Sequence, residues 1–169
     1  MNLLLDTHVF LWFVIQSLRL SKSLYQQIET TPVVYVSAAS LWEMVIKIQV
    51  KKLSADPGEL DAKITASGFQ ELPVSVAHTL ALERLPLHHR DPFDRILLAQ
   101  AHVEHLRLLT CDTGLQPYGP VCQVIVDNRR GQLTVHLLSV WREPVAASQI
   151  RTDRIHGLKV RKRFPGLFR

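Results

Sequence analysis

Short apolar runs alternate with amphipathic segments along most of the chain, and each run is short enough to be a single strand. The first run, Met1–Leu5, ends at Asp6 and predicts a buried strand. Val33–Val36 predicts another, because its residues are β-branched or aromatic. Further strands are predicted at Phe69–Leu72 (the weakest), Arg107–Thr110 and Val121–Val126.

Helices are predicted between these strands. Asp6 or Thr7 is placed to cap a helix that begins at Thr7, and Ser21 opens a second helix that continues to about Glu29. Asp91-Pro92-Phe93-Asp94 predicts a sharp helix start, with an acid at the cap, proline at the first helical position and an acid at the third. Other helices are predicted from Ser37 or Ser40 to Val50, after Pro57, and over Val76–Glu83. This alternation predicts an α/β domain around a parallel sheet, and we assign Trp12, Phe13, Trp42 and Phe93 to its core.

The composition is that of one globular domain. A length of 169 residues with 47% hydrophobic and 21% charged residues allows a full hydrophobic core and excludes a disordered chain. No apolar run has membrane-spanning length, and the acid at position 6 interrupts any export signal. Two cysteines form no disulfide framework, so we expect a reducing, cytoplasmic setting.

The net charge of +5 is unevenly distributed. Residues 1–126 hold 10 Lys and Arg against 12 Asp and Glu, a net charge of −2, whereas residues 127–169 hold 10 against 3, a net charge of +7. We therefore divide the chain into a domain at 1–126 and a basic C-terminal extension at 127–169. Within the extension, Arg151–Arg169 is interrupted by glycine and proline and is predicted to be a loosely ordered, partly disordered tail.

Four carboxylates are candidates for a common site. Asp6 and Asp112 follow two of the predicted strands, and Glu43 lies about two turns into the helix that leaves a third. Because parallel strands end at the same edge of a sheet, these acids are expected along one edge, where open α/β sheets bind ligands. Asp94, in the first turn of its own helix, joins them if that helix begins at the same edge.

Each acid also has a structural explanation. Asp6 can cap a helix, and the spacing from Ser40 to Glu43 matches a capping box. Asp91 and Asp94 can serve the cap and dipole of one helix, and Asp112 can shape a turn. Taken singly these explanations are the simpler ones. Four independent caps need not meet at one edge, however, and a buried acid cluster is costly unless cations neutralise it.

A carboxylate cluster of this kind suits metal-assisted hydrolysis. Hard divalent cations such as Mg²⁺ prefer oxygen ligands. One or two such ions lower the pKa of a water, orient it toward a phosphodiester and stabilise the leaving oxygen. The spacing of the acids does not by itself name the substrate.

The segments around these acids resemble the successive motifs of PIN domains. The order, spacing and flanking residues agree together from about Met1 to Val126, and the motif around Asp91 and Asp94 resembles that of the toxin ribonucleases of VapBC-type toxin–antitoxin modules. The matching segments are Leu3–His8, Ser37–Glu43, Leu85–Arg95 and Thr110–Asp112.

This resemblance implies an α/β/α sandwich with a twisted, mainly parallel sheet, and Mg²⁺- or Mn²⁺-dependent cleavage of RNA. Asp6, Glu43 and Asp94 match the three central acids of the family, and Asp112 matches the fourth. A protein of this type is expected to bind an antitoxin that blocks the acidic pocket, and to form a homodimer. The basic extension has no counterpart in the family's pattern. It is expected to bind RNA phosphates, to contact an antitoxin, or to be incidental.

Several neighbours of the acids are candidates for supporting roles. Thr7 and Thr110 each adjoin a strand-end acid and are expected to orient a water or a carboxylate. Lys47 lies four residues after Glu43, a common spacing for an ion pair that also holds the carboxylate in place. Arg90 and Arg95 either grip a phosphate or pair with Asp91 or Glu43, and His88 and His89 either approach substrate or order their loop.

Two other functions compete with the nuclease. A phosphatase of the haloacid-dehalogenase type also has a strand ending in Asp, but needs a second Asp two residues later, where this chain has His8. The alternative that stays open is a non-catalytic nucleic-acid or protein binding module, in which the acids cap helices and the basic extension makes the contacts.

Overall fold

The structure is a computed structural model that describes residues 1–125. The C-terminal extension at 127–169, and the end of the domain at residue 126, lie outside the described residues. The predictions for the extension therefore stay predictions.

Within residues 1–125, five short strands form one parallel sheet. Every neighbouring pair is parallel, and the strand order is β3-β2-β1-β4-β5, which confirms the parallel α/β architecture. The strands are β1 Leu3–Leu5, β2 Val34–Ser37, β3 Gln70–Leu72, β4 Arg107–Thr110 and β5 Cys122–Val124. All five lie within one or two residues of their predicted positions.

The central strand β1 ends one residue before each of its two neighbours. Leu5 is opposite Val36 of β2 and Leu109 of β4, and the backbone N–H of Asp6 donates to the Leu109 carbonyl at 3.0 Å. The residue after β1 is therefore fixed at the carboxyl edge of the sheet, directly beside the end of β4.

Helices connect the strands. The described part of the chain has six α-helices: α1 Thr7–Val14, α2 Lys22–Thr30, α3 Ala38–Gln49, α4 Pro57–Ala66, α5 Val76–Ala81 and α6 Pro92–Val103. The predicted helix over Val76–Glu83 is shorter than expected, because a 3-10 turn at Leu82–Arg84 follows α5. A second 3-10 segment, Thr113–Val121, is kinked at Gly119, whose φ of 72° favours glycine.

Apolar side chains fill both faces of the sheet. Leu3 and Leu5 of β1 belong to one buried cluster, together with residues of α1, α2 and α4. Leu4, which points to the opposite face, belongs to a second cluster with Leu97 and Leu98 of α6. The architecture is thus an α/β/α sandwich, and the β-strands are buried on both sides.

The structure confirms one of the helix caps predicted from sequence and contradicts another. Asp91 caps α6 as predicted, because its Oδ1 accepts from the backbone N–H of Phe93 at 2.8 Å. The cap of α3 is Ser37, and Ser40 lies in the first turn with a buried hydroxyl that has no hydrogen-bond partner among residues 1–125. The capping box from Ser40 to Glu43 is therefore wrong.

The assignment of Trp42 to the core is also wrong. Its side chain is 62% exposed and packs edge-on against Phe93, with ring centroids 5.1 Å apart. Trp12, by contrast, is buried in the core. Within residues 1–125, Cys111 and Cys122 are not joined by a disulfide bond. Within residues 1–125, no helix combines the length and apolar character needed to cross a membrane.

Candidate active site

A cavity of about 590 Å³ opens at the carboxyl edge of β1 and β4. It brings together the four predicted acids, Asp6, Glu43, Asp94 and Asp112. The remaining lining residues are His8, Trp12, Arg19, Lys47, His89, Asp91 and Cys111. Five carboxylates therefore face two permanent cations, Arg19 and Lys47, so the cavity carries an excess of negative charge.

Asp6 is the most buried of the acids, with 3% of its surface exposed. Its two oxygens have different partners: Oδ1 accepts from the backbone N–H of His8 at 3.2 Å and so caps α1, whereas Oδ2 accepts from the Thr110 hydroxyl at 2.7 Å. The cap and the site are thus compatible uses of one side chain. Both of these donors are neutral, and Nδ1 of His8 lies 3.9 Å from Oδ1.

Glu43 enters the cavity from α3. Its Oε2 accepts from the Thr7 hydroxyl at 2.6 Å, and its Oε1 pairs with Nζ of Lys47 at 2.7 Å. Lys47 also lies 3.4 Å from Nε2 of His8. Thr7 and Thr110 therefore each hold one carboxylate of the cluster, and Lys47 holds Glu43 as the spacing of four residues suggests.

The carboxyl group of Asp94 has a raised pKa. Burial and then the neighbouring charge of Asp6 raise the pKa of its carboxyl from 3.8 to about 6, with a smaller contribution from Asp91. Hydrogen bonding to His89 lowers the same pKa but does not cancel these effects. A perturbed carboxyl in a cleft is a marker of a functional site, because it records charge that the protein alone does not neutralise.

Asp112 follows β4 and combines two contacts. Oδ1 accepts from the backbone N–H of Gly114 at 2.7 Å and shapes the turn, while Oδ2 lies 3.5 Å from Nε2 of His89. Its own backbone N–H donates to the Thr110 hydroxyl at 3.0 Å. The turn and the site again use different atoms of the residue.

Arg95 has a different role from either of those proposed from sequence. Rather than pairing with Asp91 or Glu43, its guanidinium donates to the carbonyls of Leu82, Leu85 and Pro86 at 2.9 to 3.3 Å. It therefore fastens the loop before α6 to the helix and is not directed at a phosphate. Arg90 is exposed and does not line the cavity.

Sequence reasoning missed one wall of the cavity. His8, Trp12 and Arg19 face the acids, and the Arg19 guanidinium carbon lies 5.2 Å from the centroid of the Trp12 ring. The spacing of four from His8 to Trp12 places both on one helix face, which was the available signal. Arg19 lies beyond the end of α1 and has no such signal.

Another cavity, of about 430 Å³, lies beside α1, α2 and α4. Glu29 is the single carboxylate that lines it, and Lys63 the single cation. It offers no convergent set of catalytic groups, so the chemistry of the described residues belongs to the acidic cavity.

The donor set of the acidic cavity fits a divalent cation. Its oxygens are held at fixed positions by Thr7, Thr110 and the backbone of Gly114, and a partly buried, negatively charged cluster gains stability from a bound cation. Two three-residue groups bring possible ligand atoms within 4.8 Å of one another: Asp6, His8 and Cys111, and His89, Asp94 and Asp112.

Comparisons with known proteins agree with this fold. A chain in the crystal structure of VapBC2 from Rickettsia felis bound to a promoter DNA fragment has a TM-score of 0.54 and 18% identity, over 74% of this chain and 98% of that chain. A chain of a toxin–antitoxin complex from Klebsiella pneumoniae has a TM-score of 0.51 and 21% identity, over 72% and 95%. At these identities the likeness shows the fold.

No curated protein sequence matches the chain. The family model of the PIN domain matches residues 3–119, a span that contains all four acids and every element from β1 to β4. The chain therefore belongs to the PIN domain family.

Proposed function

We propose that this protein is a divalent-metal-dependent endoribonuclease and the toxin of a toxin–antitoxin pair. The observation that carries the proposal is the convergence of Asp6, Glu43, Asp94 and Asp112 in one cavity at the carboxyl edge of the sheet. These four side chains are the proposed ligands of Mg²⁺ or Mn²⁺. A nuclease in general follows from the family, whereas the metal and the RNA substrate are our proposals.

The bound cation supplies Lewis-acid stabilisation of a phosphodiester and a more acidic water. The chain's own residues hold the other parts in place. Thr7 and Thr110 fix the orientation of Glu43 and Asp6, so that these carboxylates do not have to reorganise during the reaction. Such fixed charges are more effective than mobile ones because no free energy is spent on aligning them.

Two cations line the same cavity as the acids and are suited to contact the phosphate backbone. They are Arg19 and Lys47, of which Lys47 also pairs with Glu43, and His8 lies beside Lys47. We propose that these cations bind phosphates next to the scissile bond and orient the RNA across the acids. Phosphate contacts of this kind position a nucleic acid without reading its sequence.

The toxin assignment rests on the resemblance of the motif around Asp91 and Asp94. Structures of similar fold include a VapBC2 complex and a toxin–antitoxin complex, which supports an antitoxin as the partner of this chain. We propose that the antitoxin covers the acidic cavity, that the free toxin is a homodimer, and that both act in the cytoplasm.

The test is cleavage of a mixed RNA pool by the full-length protein, free of co-purified inhibitor, with Mg²⁺, with Mn²⁺ and with a chelator. Asp6→Asn and Asp94→Asn are each expected to lower the rate at least about a hundredfold while the protein stays folded. Asp61→Asn, an exposed acid on α4, is the matched control and is expected to cleave normally.

Two results contradict the proposal. Normal cleavage by Asp6→Asn or Asp94→Asn would exclude the site assignment. No cleavage by the folded protein with either metal would favour a non-catalytic binding module. Cleavage that needs both the metal and Asp94 is the result we expect.

A further inference from the structure

His89 lies between two carboxylates of the cluster. Its Nε2 is 2.7 Å from Oδ2 of Asp94 and 3.5 Å from Oδ2 of Asp112, and 19% of its side chain is exposed. One atom of each residue lies within 4.8 Å of the other two. Neighbouring ligands of a six-coordinate ion at about 2.1 Å are about 3 Å apart, so this spacing suits three ligands of one cation.

Hydrogen bonds through the Tyr118 hydroxyl fix the backbone of His89. Its N–H donates to the Tyr118 hydroxyl at 3.1 Å, and that hydroxyl donates to the Pro86 carbonyl at 2.8 Å. Arg95 binds the same loop through several carbonyls, as described above. These hydrogen bonds restrict the movement of the loop and so keep the His89 side chain in one position. Metal sites need ligands that are positioned in advance in this way.

Gly114, which has no side chain, leaves space for the imidazole ring of His89. A Cβ added at Gly114 would lie 3.2 Å from Nδ1 and 3.5 Å from Cε1 of the ring, so a larger residue would displace the imidazole. The same Cβ would lie 3.1 Å from Oδ1 of Asp112. Gly114 therefore allows the histidine and the carboxylate to approach each other.

We propose that His89 is a ligand of the catalytic cation, together with Asp94 and Asp112, and that it makes the site selective for Mn²⁺ over Mg²⁺. This inference rests on the proposed function. Mg²⁺ prefers oxygen ligands, whereas imidazole binds transition-metal ions more favourably. On binding, Nε2 of His89 gives up the proton of its hydrogen bond to Oδ2 of Asp94 while Nδ1 takes up a proton from solvent, so that a neutral imidazole and a carboxylate both bind the cation.

Pulsed electron paramagnetic resonance of Mn²⁺ bound to the full-length protein tests this directly. A coordinated imidazole nitrogen produces a nitrogen hyperfine modulation, which we expect in the wild-type protein and not in His89→Ala. Because the wild-type spectrum alone can contradict the inference, the test does not depend on how well the variant folds. His102→Ala, an exposed histidine on α6, is the matched control and keeps the modulation.

Equilibrium binding provides the second measurement. His89→Ala is expected to weaken Mn²⁺ binding at least about tenfold and Mg²⁺ binding much less, so that the preference for Mn²⁺ falls. Equal loss for the two metals, tighter Mn²⁺ binding in the variant, or no nitrogen modulation in the wild type would overturn the inference.

The same data separate this inference from the proposed function. Mn²⁺ that binds the wild type, is lost in Asp94→Asn and lacks nitrogen modulation would exclude His89 as a ligand and leave the carboxylate site intact. Failure of the wild type to bind either metal would contradict both.

Discussion

The side-chain hydroxyl of Thr110 donates a hydrogen bond of 2.7 Å to Oδ2 of Asp6, and both residues are buried at the ends of neighbouring parallel strands. The same hydroxyl accepts from the backbone N–H of Asp112 at 3.0 Å. One threonine thereby sets the relative position of two acids of the cluster.

Replacing Thr110 by valine, which has almost the same shape, removes both hydrogen bonds. We expect the free energy of unfolding to fall by about 1–3 kcal/mol, because a buried carboxylate oxygen loses its donor. We also expect kcat for RNA cleavage to fall, since Asp6 is no longer held. Denaturant unfolding and cleavage rates measure the two effects. Thr79→Val, an exposed threonine on α5, should change neither.

The raised pKa of Asp94 predicts how stability depends on pH without metal. The folded protein binds this proton more tightly than the unfolded chain does, since burial and the charge of Asp6 raise the pKa from 3.8 to about 6. The destabilisation from Asp94 is therefore absent below about pH 3.8 and complete above about pH 6.

Asp94→Asn removes that destabilisation and can still accept a hydrogen bond from His89. The variant should be more stable than the wild type by on the order of 2 kcal/mol at pH 7 to 8 in chelator, with no gain near pH 4. Urea unfolding from pH 4 to 8 measures the difference. A gain of the same size at every pH would contradict the electrostatic explanation. Asp61→Asn serves again as the control.

The hydrogen bonds of the Tyr118 hydroxyl predict that the loop around His89 affects metal binding. Tyr118→Phe removes the hydroxyl that joins His89 to Pro86, so we expect a loss of about 1 kcal/mol of unfolding free energy and weaker Mn²⁺ binding. Calorimetry of unfolding and of metal binding gives both values. The control is Tyr35→Phe, because the Tyr35 hydroxyl makes no hydrogen bond within residues 1–125. Unchanged metal binding in Tyr118→Phe would show that the loop holds His89 without this bond.

The position of Arg19 in the lining of the cavity predicts how RNA binding depends on salt. In an Asp94→Asn background, which binds RNA without cutting it, Arg19→Gln should weaken RNA binding and lower the slope of log affinity against log salt by about 0.7. Arg84→Gln removes the same charge from an exposed position that does not line the cavity, and should leave the slope almost unchanged. Equal effects of the two substitutions would mean that Arg19 does not bind phosphate in the cavity.

The parallel fold and the meeting of the four acids could be predicted from sequence for a physical reason. Strands buried on both faces are continuous apolar runs, and a carboxylate that directly follows such a run has to lie at the carboxyl edge. Asp6 and Asp112 are examples. Asp91 was assigned correctly as a cap because Pro92 is compatible with only a few helix positions.

Other features could not be predicted, because they depend on partners distant in the chain. Arg95 binds backbone carbonyls, which every residue possesses, so no sequence pattern marks its partners. Tryptophan is usually a core residue, but the exposure of Trp42 depends on which face of α3 packs against the rest of the domain. That face is set by the packing of α3 against α6, which the sequence pattern does not show. The capping box at Ser40 failed because Ser37, at the end of β2, had already capped the helix.

The bond between Thr110 and Asp6 spans 104 residues of sequence, and β1 lies between β2 and β4 in the sheet. A chain still being synthesised has Asp6, Glu43 and Asp94 well before it has Arg107–Thr110. Until that strand arrives, one side of β1 is unpaired and the site lacks Asp112. Under the proposed function, a nascent chain lacks a complete metal site until β4 and Asp112 have been made, and we expect no cleavage near the ribosome until the domain is almost complete.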